Sequence, residues 1–126
     1  KGLFIPLHYK VGLDLTVSFI KEHTRPDEPI FAFPNKAVFY FLTGRPSATA
    51  YVSSEDMATR KQRQEAVAQL IRSRPRYVII DEHLDTHIDK ILIQEQNPEV
   101  FKYIQENYQV IRSFPGVKIA ERISGS

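Results

Sequence analysis

Apolar residues recur along this chain with two periods, and the switches between them divide it into elements. Gly2 to His8 is short, apolar and partly β-branched, predicting a strand that Pro6 confines to a sheet edge. From Val11 the spacing turns helical: Leu13, Val17 and Ile20 fall at i, i+4 and i+7, predicting a core-facing helix to about Thr24. Pro26 and Pro29 break it, and Ile30–Phe33 reads as a short buried strand. Asn35 is placed to cap a second helix through Leu42, Gly44 to close it in the left-handed conformation, and Pro46 to stop it.

Ala48–Val52 reads as a weak third strand. Ser53–Asp56 offers N-caps for a longer helix to Arg72, with Ala66, Val67, Leu70 and Ile71 inward and Arg60, Lys61, Arg63 and Glu65 outward. Tyr77–Ile80 is a continuous apolar strand, as expected of one covered on both faces. Residues 81–93 read as either helix or loop. Asn97-Pro98-Glu99 starts a helix whose inner face is Phe101, Ile104 and Tyr108. Gln109–Phe114 and Val117–Ile123 close the chain as a hairpin through Pro115-Gly116. Alternating strands and helices with short links predict a three-layer α/β/α sandwich with a mostly parallel, Rossmann-like sheet and a C-terminal antiparallel hairpin. Residues 1–126 read as a single α/β domain, without a repeat or linker.

Composition narrows the chemistry. Seventeen Lys and Arg against fifteen Asp and Glu leave a formal +2, too small to argue for nucleic acid. The longest apolar run, Ala37–Leu42, is far short of the roughly 20 residues of a membrane span. Absence of cysteine excludes disulfides, zinc-thiolate sites and cysteine nucleophiles. The chain opens at Lys1-Gly2 and reads as a fragment of a longer protein.

Neither the dinucleotide nor the P-loop glycine pattern occurs, and no serine sits in a nucleophile elbow, so no cofactor is expected. Asp81, His83, Asp85 and His87 offer imidazoles and carboxylates at a strand's carboxyl end, the donor set of a metal-dependent hydrolase; the competing reading is a solvated acidic segment. Arg72, Arg74 and Arg76 either attract phosphate or answer a helix C-terminus. Candidate binding residues are Asn35, Tyr40, Gly44 and Arg45. The Arg45 guanidinium can hold a phosphate or carboxylate by two parallel bonds, or answer the carbonyls of the preceding helix. A small α/β interaction domain is the remaining alternative.

The stretch Val17–Asn35 with its Thr24-Arg25-Pro26-Asp27-Glu28-Pro29-Ile30-Phe31 core, followed by Phe39-Tyr40-Phe41-Leu42-Thr43-Gly44-Arg45-Pro46, adds a resemblance. Together with Arg63-Gln64-Glu65, Pro75–Asp81, Tyr103–Tyr108 and the closing Glu121-Arg122, it resembles the soluble C-terminal domain of bacterial multi-spanning glycosyltransferases. These are GT-C proteins similar to aminoarabinose transferase and protein O-mannosyltransferase, which take sugars from polyprenyl-phosphate carriers. The resemblance implies that the catalytic acids lie on loops between membrane helices, outside this chain. It implies an accessory domain at the cell membrane, on the extracytoplasmic side. The implied partners are the membrane-embedded portion of the same polypeptide and a glycan or lipid-linked acceptor.

Overall fold

The computed structural model describes residues 7–33, 37–49, 59–81 and 98–123. Helix α1 spans Leu7–His23. Leu7 and His8 are therefore helical, a correction to the predicted edge strand, whose other residues lie outside the described ones. The inward stripe of α1 is Tyr9, Gly12, Thr16, Phe19 and Ile20, with Leu13 and Val17 only half-buried. That stripe is rotated from the one predicted, because it includes Gly12, against the Pro115 carbonyl, and the buried Thr16, neither of which apolar spacing marks. The helix stops where the Thr24 hydroxyl donates to the Ile20 carbonyl at 2.6 Å, ahead of Pro26.

Strand β1 (Phe31–Phe33) follows, then α2 (Ala37–Thr43). Gly44 takes φ +72°, as its position after α2 predicts. At the expected third strand, Ser47 makes a single parallel bridge to Ile30, Ala48 and Thr49 are bends, and residues 50–52 lie outside the described residues. Helix α3 spans Arg60–Ser73 and starts later than predicted. Its N-cap is Thr59, in a capping box with Gln62. Ala66 and Leu70 are buried, whereas Ile71 is exposed. Arg63, predicted to face outward, instead pairs with Glu99 at 2.6 Å.

Strand β2 spans Tyr77–Asp81, α4 spans Pro98–Asn107, β3 spans Tyr108–Phe114 and β4 spans Val117–Arg122. In α4 the buried residues are Val100 and Ile104, and Tyr108 has already passed into β3.

The sheet order is β1-β2-β4-β3. Only β1 and β2 run parallel, with Phe31 opposite Val78. The β4 strand pairs antiparallel with β2, Tyr77 opposite Glu121 and Asp81 opposite Val117, and antiparallel with β3. The sheet is thus mostly antiparallel, and the mostly parallel, Rossmann-like expectation is corrected. The physical reason is length. The segment after α2 contributes one bridge, while the hairpin strands are long enough to zip onto the free side of β2.

Side chains alternate along β2 and feed a core on each face. On one face Phe31, Phe33, Val78 and Ala120 pack with Ala66 and Leu70 of α3 and with Val100 and Ile104 of α4. On the other, Ala32, Tyr77, Ile79, Val117 and Ile119 meet Tyr9, Phe19 and Ile20 of α1 and Phe39 of α2. The β1 edge is closed rather than open. The Ala32 N–H donates to the Tyr40 hydroxyl at 2.8 Å, and the backbone of Ile30 pairs with Pro46 and Ala48. At the other edge, β3 carries a bulge between Val110 and Arg112. Among the described residues, no helix is long and apolar enough to cross a membrane.

Candidate functional site

The two ends of the sheet hold the residues with chemistry. Asp81 closes β2 at the carboxyl end of the parallel pair and is 1% exposed. The Tyr9 hydroxyl, one turn into α1, donates to its Oδ2 at 2.7 Å. Beside this bond, Gly12 lets α1 press on the β3–β4 turn. A Cβ there would stand 1.9 Å from the Pro115 carbonyl oxygen. Nothing in the apolar spacing marked Gly12, because its reason is a contact with a residue about a hundred positions away. His83, Asp85 and His87, the other members of the candidate metal set, lie outside the described residues, as does Asn35. Among the described residues, no group of three or more His, Cys, Asp or Glu could hold a metal ion.

At the opposite end, α1 and α2 both finish, and Arg45 joins them. Its Nε donates to the Thr24 hydroxyl at 2.9 Å, and Nη1 donates to the Thr43 carbonyl at 2.9 Å. Nη2 donates to the carbonyls of Thr24 at 2.8 Å and Lys21 at 3.3 Å. The guanidinium has five N–H donors, and these bonds engage four of them. Arg45 thus ties the end of α1 to the end of α2. Tyr40 is half-buried, and its hydroxyl accepts from the Ala32 N–H at the β1 edge. Burial raises the phenol above its ordinary pKa, opposed by hydrogen bonds to Ser47 and Ala32. Gly44 is exposed, with open space where a Cβ would go.

The same end carries a cleft of about 370 Å³ between the α1–β1 link, the α3–β2 link and the end of β4. Its walls include Arg25, Glu28, Ser73, Arg74, Arg76 and Arg122. Of the three arginines singled out by sequence, the cleft takes Arg74 and Arg76; Arg25 and Arg122 join them through the topology. Pairing Tyr77 with Glu121 sets Arg76 and Arg122 side by side, and the Arg122 N–H donates to the Arg76 carbonyl at 2.9 Å. The Arg76 guanidinium lies 5.0 Å over the Tyr77 ring and pairs with Glu121 at 3.3 Å. The Arg122 Nε is buried and has no hydrogen-bond partner. Under the cleft, the buried Tyr108 hydroxyl donates to the Pro75 carbonyl, and burial pushes its phenol well above the ordinary value.

Arg74 caps α3 in the left-handed conformation, φ 49° and ψ 58°, and donates its N–H to the Leu70 carbonyl at 2.8 Å. It is the non-glycine residue of positive φ among the described ones. A glycine or asparagine would take that geometry more cheaply.

No family model matches the chain, and no curated protein matches it in sequence. Solved structures do match. The crystal structure of the C-terminal globular domain of an oligosaccharyltransferase from Archaeoglobus fulgidus superposes with a TM-score of 0.53 at 13% identity, over 96% of this chain and 100% of that one. The fold is similar to that domain. A second oligosaccharyltransferase C-terminal globular domain from the same organism gives a TM-score of 0.49 at 13% identity, over 98% of this chain and 100% of that one.

Proposed function

We propose that this chain is the extracytoplasmic accessory domain of a membrane glycosyltransferase that uses a polyprenyl-phosphate-linked sugar, and that it does not itself catalyse transfer. The observation that carries this reading is the fold likeness, over nearly the whole chain, to the C-terminal globular domain of an oligosaccharyltransferase. The resemblance to bacterial aminoarabinose and protein O-mannosyltransferases points the same way and is part of the proposal.

Surface chemistry supports a docking role. Leu7, Val11 and Leu15 stand exposed at i, i+4 and i+8 on the first half of α1, the half that lies at the Asp81 end. On α2, Phe41 is 84% exposed. An apolar stripe of this kind on a small domain marks a surface that another body covers. The membrane-embedded part of the same polypeptide is the partner this reading assigns to it. Two observations test the proposal. The purified chain is expected to give no transfer from a polyprenyl-phosphate sugar to any acceptor, and the reading frame upstream of Lys1 is expected to encode several hydrophobic spans. Turnover by the chain alone, or a start codon within a few residues, overturns the reading.

A further inference from the structure

We propose that the arginine-walled cleft binds a phosphate-type anion, a phosphate monoester or diphosphate, at the end of the sheet away from Asp81. This goes beyond the accessory-domain reading and does not depend on it. Four arginines, Arg25, Arg74, Arg76 and Arg122, line this cleft from three separate segments of chain. The carboxylates nearby are already engaged. Glu28 accepts from the Arg25 backbone N–H at 3.2 Å, Glu121 pairs with Arg76, and Asp27 pairs with the Arg25 guanidinium at 3.3 Å. Four arginines therefore stand against these three carboxylates in and beside a concave space.

Two independent features say that this arrangement is kept at a cost. The Arg122 Nε is buried without a hydrogen-bond acceptor, and a buried donor left unpaired is unfavourable until something accepts from it. Arg74 holds a left-handed backbone that a glycine would occupy with less strain, and strain of this kind gathers at ligand sites. A phosphate group answers both. Its several oxygens accept from guanidinium groups arriving from different directions, which a single planar carboxylate does less well. About 370 Å³ falls in the range of small-molecule pockets and leaves room for a substituent on the phosphate.

The test uses two probes on the 126-residue chain. Pyrophosphate is titrated by calorimetry at low salt, and vesicles containing phosphatidic acid are compared with phosphatidylcholine by co-sedimentation. Saturable binding of pyrophosphate identifies a soluble phosphate compound as the ligand class, and binding to phosphatidic acid vesicles alone identifies a lipid phosphate monoester. Either supports the site if Arg74→Gly weakens it by about tenfold, the loss of one charge-assisted contact. Arg74→Gly also relaxes the left-handed residue, so its melting temperature is expected to hold or rise while binding falls. Arg122→Gln is expected to weaken binding as well, and Lys61→Gln, an exposed charge on α3 away from the cleft, to leave it unchanged. No binding of either probe, or binding unaltered in both Arg74→Gly and Arg122→Gln, overturns the proposal.

Discussion

The two ends of the sheet use polar groups in opposite ways. At the Asp81 end the buried Asp81 carboxylate is met by the Tyr9 hydroxyl, and a glycine brings α1 into direct contact with the Pro115 carbonyl. The first turns of α3 and α4 are joined there by Arg63 and Glu99, 2.6 Å apart. At the other end, Arg45 is likewise committed to backbone carbonyls, but the neighbouring cleft leaves the Arg122 Nε without a partner and keeps Arg74 in an unfavourable backbone region. The cleft end leaves a buried donor unpaired where the Asp81 end pairs its buried acid. The contrast separates a packed end from a receptive one.

Gly12 offers the sharpest way to break that contrast, and the largest effect. Alanine is the better helix former by ~1 kcal/mol, so propensity alone predicts that Gly12→Ala stabilises α1. The Pro115 oxygen stands where the new methyl would go, and it is backbone, fixed by the β3–β4 turn. Gly12→Ala is therefore expected to destabilise by about 3 kcal/mol, read as a lower urea midpoint. An unchanged or higher midpoint means α1 is not clamped to the hairpin. Tyr9→Phe comes next. It removes the donor at 2.7 Å from a carboxylate that is 1% exposed, at an expected cost of about 2 kcal/mol. A loss no larger than that of an exposed tyrosine would show that Asp81 does not rely on this bond.

Much of the fold could be read from periodicity, and the exceptions share a cause. Tyr77–Ile80 and the closing hairpin read correctly because a run of apolar residues or a Pro-Gly turn is a local signal. The placing of β4 beside β2 is not local: alternation says that a strand has two faces, not which strand lies next to it. The same limit hid the cleft. Arg74 and Arg76 drew notice as neighbours in sequence, whereas Arg25 and Arg122 reach them only through the strand order. Gly12 and the rotated inward face of α1 escaped for a related reason, since apolarity marks burial but not the close approach that a glycine permits. Of the candidate binding residues, the local turn at Gly44 was legible. The bonds of Arg45 to α1, twenty-one and more positions away, were not.

Arg45 tests the receptive end. If its guanidinium serves mainly to tie α1 to α2, Arg45→Ala lowers stability by about 1.5 kcal/mol through the lost bonds to Thr24, Lys21 and Thr43. Lysine, with one point charge, is expected to restore less than half of that loss, because it cannot reach these acceptors together. An unchanged melting temperature in Arg45→Ala, with reduced transfer in the intact parent protein, would instead make Arg45 a ligand contact.

Acid sensitivity gives the smallest and most specific comparison, at the packed end. Glu99 accepts from the Arg63 Nε at 2.6 Å, with side chains only 26% and 18% exposed, and Arg60 lies 3.7 Å away. The hydrogen bond to Arg63 is the main reason its carboxyl titrates below the ordinary glutamate value, and burial opposes it. A folded-state pKa below the unfolded one means that the unfolded chain takes up this proton first. The pair's contribution is therefore complete above the ordinary glutamate value, about 4.3, and is lost as pH falls through the lower folded value. Solvent reaches part of the pair, so the contribution is expected to be about 1 kcal/mol or less. Urea midpoints of the wild type and Glu99→Gln should differ by that amount at neutral pH and converge as pH falls through the lowered folded-state value. A gap that persists in acid would assign the effect to packing between α3 and α4 rather than to charge.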